Sequence, residues 1–140
     1  WVWNLPYENN YQRGKDFVEA FSDRYEMRPS SSAASAYSIV YQYKEAVERA
    51  GSTNTDAVIR ALEGHRYSFL KDEQYWREFD HQNVQTVYVV RIKPRETVVA
   101  DQFSSDYFEI IDFLPGDEAA QTREEWEQRR KEAGKPARLL

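Results

Sequence analysis

The sequence contains no cysteine. Disulfides, thiolate metal sites and cysteine nucleophiles are therefore excluded, while the redox state of the compartment stays open. Glycine is scarce, five in 140 residues, and no cluster of it exists to cradle a phosphate. A G-x-S-x-G nucleophile elbow is missing, and "PSSSA" at 29–33 does not replace it. Only two histidines occur, His65 and His81, without the short spacing of metal-ligand pairs. No apolar run approaches the roughly 18 residues of a membrane span, and no secretory leader is visible. Basic charge is not in excess. The net charge is −5 and the pI about 5.1, so no field exists to hold nucleic acid phosphates. No cofactor motif is present, and an uncharged or zwitterionic partner fits this balance better.

What is abundant is aromatic. Ten Tyr and four Trp help to bring the aromatic share to 15%, which serves equally a buried core, an interface or a ligand cleft. The chain is long enough to bury a core, and its 41% hydrophobic and 31% charged residues mark a globular domain or a piece of one. Its opening, "WVWNLPYENN", has no initiator Met. Upstream sequence carrying an export signal is therefore expected.

Residues 1–5 read as the end of a strand, followed by a polar turn. Helical spacing of Phe17, Val18, Phe21 and Tyr25 predicts a helix over 11–25. Pro29 ends that stretch, and the serines after it offer N-caps. A second helix follows on Ala33, Ala36, Tyr37, Val40, Tyr41 and Val47, closed by Gly51. Its small-residue start, "SSSAASA", allows another backbone or a ligand to approach closely. Thr53 and Asp56 form a capping box for a third helix that Gly64 closes. Short strands are expected at 67–69 and 75–80, and a long β-branched strand at 84–93. Residues 94–106 read as an irregular connector and 107–114 as another strand. Pro115 and Gly116 turn the chain into a last helix capped by Thr122 and Glu125, with Trp126 as its anchor. Helices come early and strands late, so partner strands are expected upstream.

Asp80 and His81 stand side by side in "REFDHQNVQTVYVVRIK". On a strand they would point to opposite faces, which argues against a metal or acid–base pair. Asp, His and Gln each pair readily with exposed backbone groups where a strand begins.

Three stretches together, "FVEAFSDRYEMRPSSSAASAYSIVYQYKEAVERAGSTNTDAVIRALEG" (17–64), "REFDHQNVQTVYVVRIK" (77–93) and "REEWEQRRKEAGKPARLL" (123–140), resemble the C-terminal part of type I periplasmic solute-binding proteins. These are the receptors of ABC importers for branched-chain amino acids, amides, urea and related solutes. The matching positions are Tyr25, Pro29, Ala33 to Tyr37, Ala50 to Ser52, Ala61 to Gly64 and Asp80 to Gln82. One departure is that "YSFLKDEQYWREF" (67–79) lacks a glycine the family often carries there.

The resemblance implies an α/β fold: part of a Rossmann-like lobe, with helices packed on a sheet completed upstream or by self-association. Residues 1–92 would complete one lobe and 103–140 return toward the other. It implies no enzyme but a receptor that closes on a small polar solute and presents it to ABC permease subunits from the periplasm. By position, Trp3, Tyr7, Ser31, Ser32 and Ala33 would face the ligand. Amides and serine hydroxyls at the helix start would hold a carboxylate or amide oxygen, and Trp3 or Tyr7 would cover an apolar part. Helix capping by the two serines and core packing by Trp3 remain open beside this. Two other readings stay open: a stand-alone α/β interaction module, and a sensor domain on the same fold.

Overall fold

Twelve elements follow one another in the computed structural model, which describes residues 1–137 and 139. The expected tail 103–140 thus includes two positions, 138 and 140, that lie outside the described residues. The chain opens with α1 (Leu5–Glu8) rather than the strand that the sequence predicts for 1–5. Pro6 stands in its first turn, where a preset φ helps and the missing N–H costs nothing. The Leu5 amide already donates to Val2 O at 3.1 Å, so the backbone turns before it can extend.

Then comes α2 (Gln12–Tyr25), with Phe17 and Val18 on its buried face. Gly14 lies where a Cβ would sit 2.3 Å from the Leu70 carbonyl oxygen and 2.7 Å from Pro6 Cγ. The missing side chain is what lets α2 press against both. Next, α3 (Ser31–Ala50) is capped by Ser30, whose Oγ accepts from the Ala33 amide at 3.1 Å. Gly51 ends it at φ 60, a left-handed conformation that glycine adopts freely.

The third long-patterned segment becomes α4 (Thr55–Leu62). Its cap is not the Thr53–Asp56 box but Asn54, whose side chain accepts from the Ala57 amide at 3.2 Å. The amide of Asn54 is itself held by Ser52 Oγ at 3.0 Å, which moves the cap one residue along. Gly64 does not cap α4 directly; it follows the cap residue Glu63 at φ 72 and donates its N–H to Trp76 O.

Three short strands, β1 (Arg66–Tyr67), β2 (Gln74–Trp76) and β3 (Asn83–Val84), pair antiparallel in that order. A separate two-stranded ribbon joins β4 (Val87–Ile92) to β5 (Phe108–Leu114), also antiparallel, with a bulge at Val89/Val90. The strand expected to run unbroken over 84–93 is therefore split. At the break, Lys71 Nζ takes the Thr86 carbonyl at 2.9 Å, and the Thr86 hydroxyl bonds to Asp72. Side chains thus engage groups that a continuous ladder would use. Gly116 also lies against the Gln85 backbone, with room for no Cβ there.

Between the ribbon strands lies α5 (Arg95–Ala100), not the irregular connector expected. Pro94 breaks the strand but also presets the chain before a first helical turn, and Val98 is buried in it. After β5 come α6 (Gly116–Ala119) and α7 (Arg123–Glu132). The latter carries the capping box read from the sequence, Thr122 with Glu125, and buries Trp126.

The core sits where α2, α3 and the 69–70 loop meet. Phe17, Val18, Ala34, Phe69 and Leu70 form it, with Trp1, Trp3, Phe21, Tyr41 and Tyr67 packed around. Its rings touch in series: Phe17 to Tyr37 at 4.7 Å and Tyr41 to Phe69 at 5.0 Å. The aromatic surplus is thus largely absorbed by packing.

Candidate functional site

The residues of the sequence-derived site lie on the first turns of the chain and on the start of α3. Trp3 is half-buried against the core, with its ring edge-on to Tyr7 at 6.1 Å. Tyr7, on α1, is 40% exposed, and its hydroxyl reaches Glu19 at 3.5 Å. Burial, and then the Glu19 carboxylate, raise its phenol above the ordinary value. It is therefore neutral near pH 7 and presents a ring face and an O–H donor.

Ser31 and Ser32 are exposed on the first turn of α3. Neither caps the helix, since Ser30 does so. Their hydroxyls are thus not needed to terminate α3, which answers one of the two readings left open by the sequence. Ser31 lines a recess of about 330 Å³ with Trp1, Ser35, Gln85 and Tyr88. Ala33 faces instead a groove of about 720 Å³ between α2 and α3, lined by Arg13, Phe17, Phe21 and Tyr37. The structure therefore brings Trp3 to Tyr7 but places Ser31 and Ala33 on different recesses.

Beside Ser31's recess lies a smaller cavity of about 210 Å³, lined by Ser35, Lys71, Gln74 and Trp76. Lys71 is 4% exposed. Burial depresses its ammonium below the ordinary value, partly offset by the Asp72 carboxylate. Its ammonium donates to Thr86 O at 2.9 Å and lies 3.5 Å from Asp72 Oδ1, and its Nζ lies 5.0 Å from the Tyr88 ring centre. This lysine holds the break between β3 and β4 together rather than facing solvent.

His81 is spent on the fold. It takes a left-handed backbone, φ 58, in the turn before β3, and its Nε2 lies 2.8 Å from Glu63 Oε1 just past the end of α4. Asp80 grips Arg77 through both oxygens, at 2.9 and 2.5 Å, and accepts from the Gln82 amide at 3.1 Å. Burial alone would raise the Asp80 carboxyl, but the bonds from Arg77 and Gln82 hold it below the usual carboxylate range. Arg77 also donates to Gln121 O at 2.8 Å. The Asp-His-Gln run is a hydrogen-bonded turn leading into a strand. Among the described residues, no group of three or more His, Asp or Glu is placed to hold a metal ion.

Sequence reasoning passed over one cluster. Arg28 lies between α2 and α3 with its guanidinium carbon 4.2 Å from the Trp3 ring and 5.1 Å from Phe103. It bonds Asp101 at 3.1 Å. Nothing in "YEMRPS" distinguishes that arginine, because its partner lies 73 positions along the chain.

Comparison with known proteins adds lineage to this geometry. No curated protein matches the chain. Among solved structures it is similar to a periplasmic binding protein from Burkholderia mallei, at 26% identity and TM-score 0.76 over 89% of this chain. A branched chain amino acid ABC transporter periplasmic ligand-binding protein from Burkholderia xenovorans LB400 shares the fold at 22% identity and TM-score 0.75 over the same share. An ABC-type branched-chain amino acid transporter from Rhodopseudomonas palustris CGA009 matches at 27% identity and TM-score 0.59 over 72% of the chain. The chain spans 31% of the length of each of the first two and 26% of the third. The family model described as "Periplasmic binding protein" matches residues 1–97, from α1 into α5. With helices packed on strands in the same α/β arrangement as these relatives, the chain belongs to the periplasmic binding protein family.

Proposed function

We propose that this chain is the C-terminal portion of the substrate-binding component of an ABC importer, exported to the periplasm. In this reading it captures a small polar solute such as a branched-chain amino acid, an amide or a urea-like compound. The observation that carries it is the family match over residues 1–97. Support comes also from the similarity, at 27% identity, to an ABC-type branched-chain amino acid transporter from Rhodopseudomonas palustris. In this reading the chain works by lobe closure and not by catalysis, and its protein partners are the permease subunits in the membrane.

Physical support comes from what the fold leaves uncovered. The ribbon exposes Val87, Val89, Ile92, Ile111 and Phe113, and α3 exposes Ile39, Val40 and Tyr43. An isolated two-stranded ribbon is marginal in water, and apolar faces of this extent are where further sheet belongs. Residues 1–92 then complete one lobe, and the part from 103 returns toward the other. In this reading Trp3 and Tyr7 cover the apolar part of the solute and Ser31 and Ser32 hold its polar end, while Ala33 is turned to the separate groove between α2 and α3.

The test is calorimetric titration of the protein encoded by the native gene against leucine, isoleucine, valine, short aliphatic amides and urea. At least one should bind, and Tyr7→Ala and Ser31→Ala should each weaken it about tenfold or more, the loss of one well-placed contact. Silence across the whole panel would sink the reading. A second reading, an interaction module that pairs with itself, draws on the same exposed ribbon. Light scattering of residues 1–140 separates the two outcomes: a discrete dimer with no solute affinity in the native protein favours the module.

A further inference from the structure

The segment between β4 and β5 is tied down far from its own strands. Asp101, at the end of α5, accepts from the Phe103 amide at 3.1 Å, the Ser105 amide at 3.2 Å and the Ser105 hydroxyl at 3.4 Å. Its other oxygen takes Arg28 Nη2 at 3.1 Å. Both partners are well covered, with side chains 19% and 10% exposed. Arg28 Nε is buried and has no hydrogen-bond partner among the described residues. The guanidinium is thus placed by one carboxylate and by the rings of Trp3 and Phe103. A charge-assisted bond between covered groups is stronger than a surface pair, and a cation stacked on an aromatic face adds to it. The same corner receives a second tie, from Asn4 Nδ2 to Phe108 O at 3.3 Å.

We propose that Arg28 is a positioning residue that couples the 95–106 strap to the orientation of the Trp3–Tyr7 aromatic pair. Asp101 folds the strap around its own carboxylate and presents that carboxylate to Arg28. Arg28 in turn lies against Trp3, which meets Tyr7 edge-on. Movement of the strap is therefore felt at Trp3. That Trp3 and Tyr7 face a solute rests on the receptor reading above; the coupling does not.

The experiment is amide exchange by NMR on the 140-residue chain, with the Trp3 indole N–H assigned by its loss in Trp3→Phe. In the unsubstituted chain, the Phe103 and Ser105 amides should exchange more slowly than those of Gln102 and Asp106. In Arg28→Gln and in Asp101→Asn, the Phe103 and Ser105 amides should exchange about tenfold faster, the loss of one charge-assisted bond. The Trp3 indole signal should shift in Arg28→Gln and return part of the way in Arg28→Lys, which keeps the charge without the planar fork. Equal exchange at all four amides of the unsubstituted chain overturns the proposal, even where the variants fail to fold. So does an indole signal that ignores both substitutions at position 28. No ligand enters the readout, so a protein that binds no solute ends the receptor reading and leaves the coupling standing.

Discussion

The packed cluster on α2, α3 and the 69–70 loop and the β4–β5 ribbon both carry large apolar side chains but do opposite things with them. In the cluster, Val18 is 0% and Leu70 2% exposed. On the ribbon, Ile92 is 74% and Phe113 61% exposed. The ribbon is paired from Val87↔Leu114 to Ile92↔Phe108 apart from the bulge at Val89/Val90. The difference is in side chains: α2 and α3 have each other and the 69–70 loop to bury against, while most ribbon side chains stay exposed among the described residues. Burial at about 25 cal/mol per Å² stabilises only where a second surface exists. Strand formation and strand burial are therefore separate events here.

The largest test of this contrast is Leu70→Ala. It empties a site in the packed cluster and should cost about 3 kcal/mol, read as a lower denaturant midpoint. Less than about 1 kcal/mol would mean that the core is looser than its burial implies. Gly14→Ala comes next. Helix propensity favours alanine by up to about 1 kcal/mol, but the new Cβ meets the Leu70 carbonyl at 2.3 Å. The clash should win, with a net loss of about 2 kcal/mol; a raised melting temperature would show that α2 shifts freely. Asn54→Ala should cost about 1 kcal/mol by losing its cap, while Thr53→Ala stays near zero. The reverse order would restore the Thr53 box. Smallest is Phe113→Ser on the ribbon. Stability should stay within about 0.5 kcal/mol while binding of an apolar dye falls. A drop as large as that of Leu70→Ala would erase the contrast by showing that the ribbon is covered.

Much of this was legible in the sequence, and the limits have a pattern. The helices at 12–25, 31–50 and 123–132 were readable because their apolar spacing, caps and stops agree locally. One misreading fell where a distant group decides. The strand over 84–93 breaks because Lys71 and Asp72 reach Thr86, and neither residue is near it in sequence. Asn54 overtakes Thr53 through one bond from its amide to Ser52 Oγ, too fine a choice for spacing to settle. At the site, the resemblance carried Trp3, Tyr7, Ser31, Ser32 and Ala33 by position alone. That Ser30 rather than Ser31 or Ser32 caps α3 needed the helix boundary, and Arg28 needed its partner across the fold.

One further property follows from how α7 is attached. Trp126 is the buried residue of that helix, set edge-on to Phe79 at 5.5 Å, and Arg77 holds the preceding Gln121 carbonyl. A helix with one buried side chain tolerates change at its exposed positions. Its exposed charges beyond Trp126 can be rewritten with little strain passed to the core. In the history of such a protein, this is where new surface would be gained most cheaply, so long as the tryptophan keeps its seat.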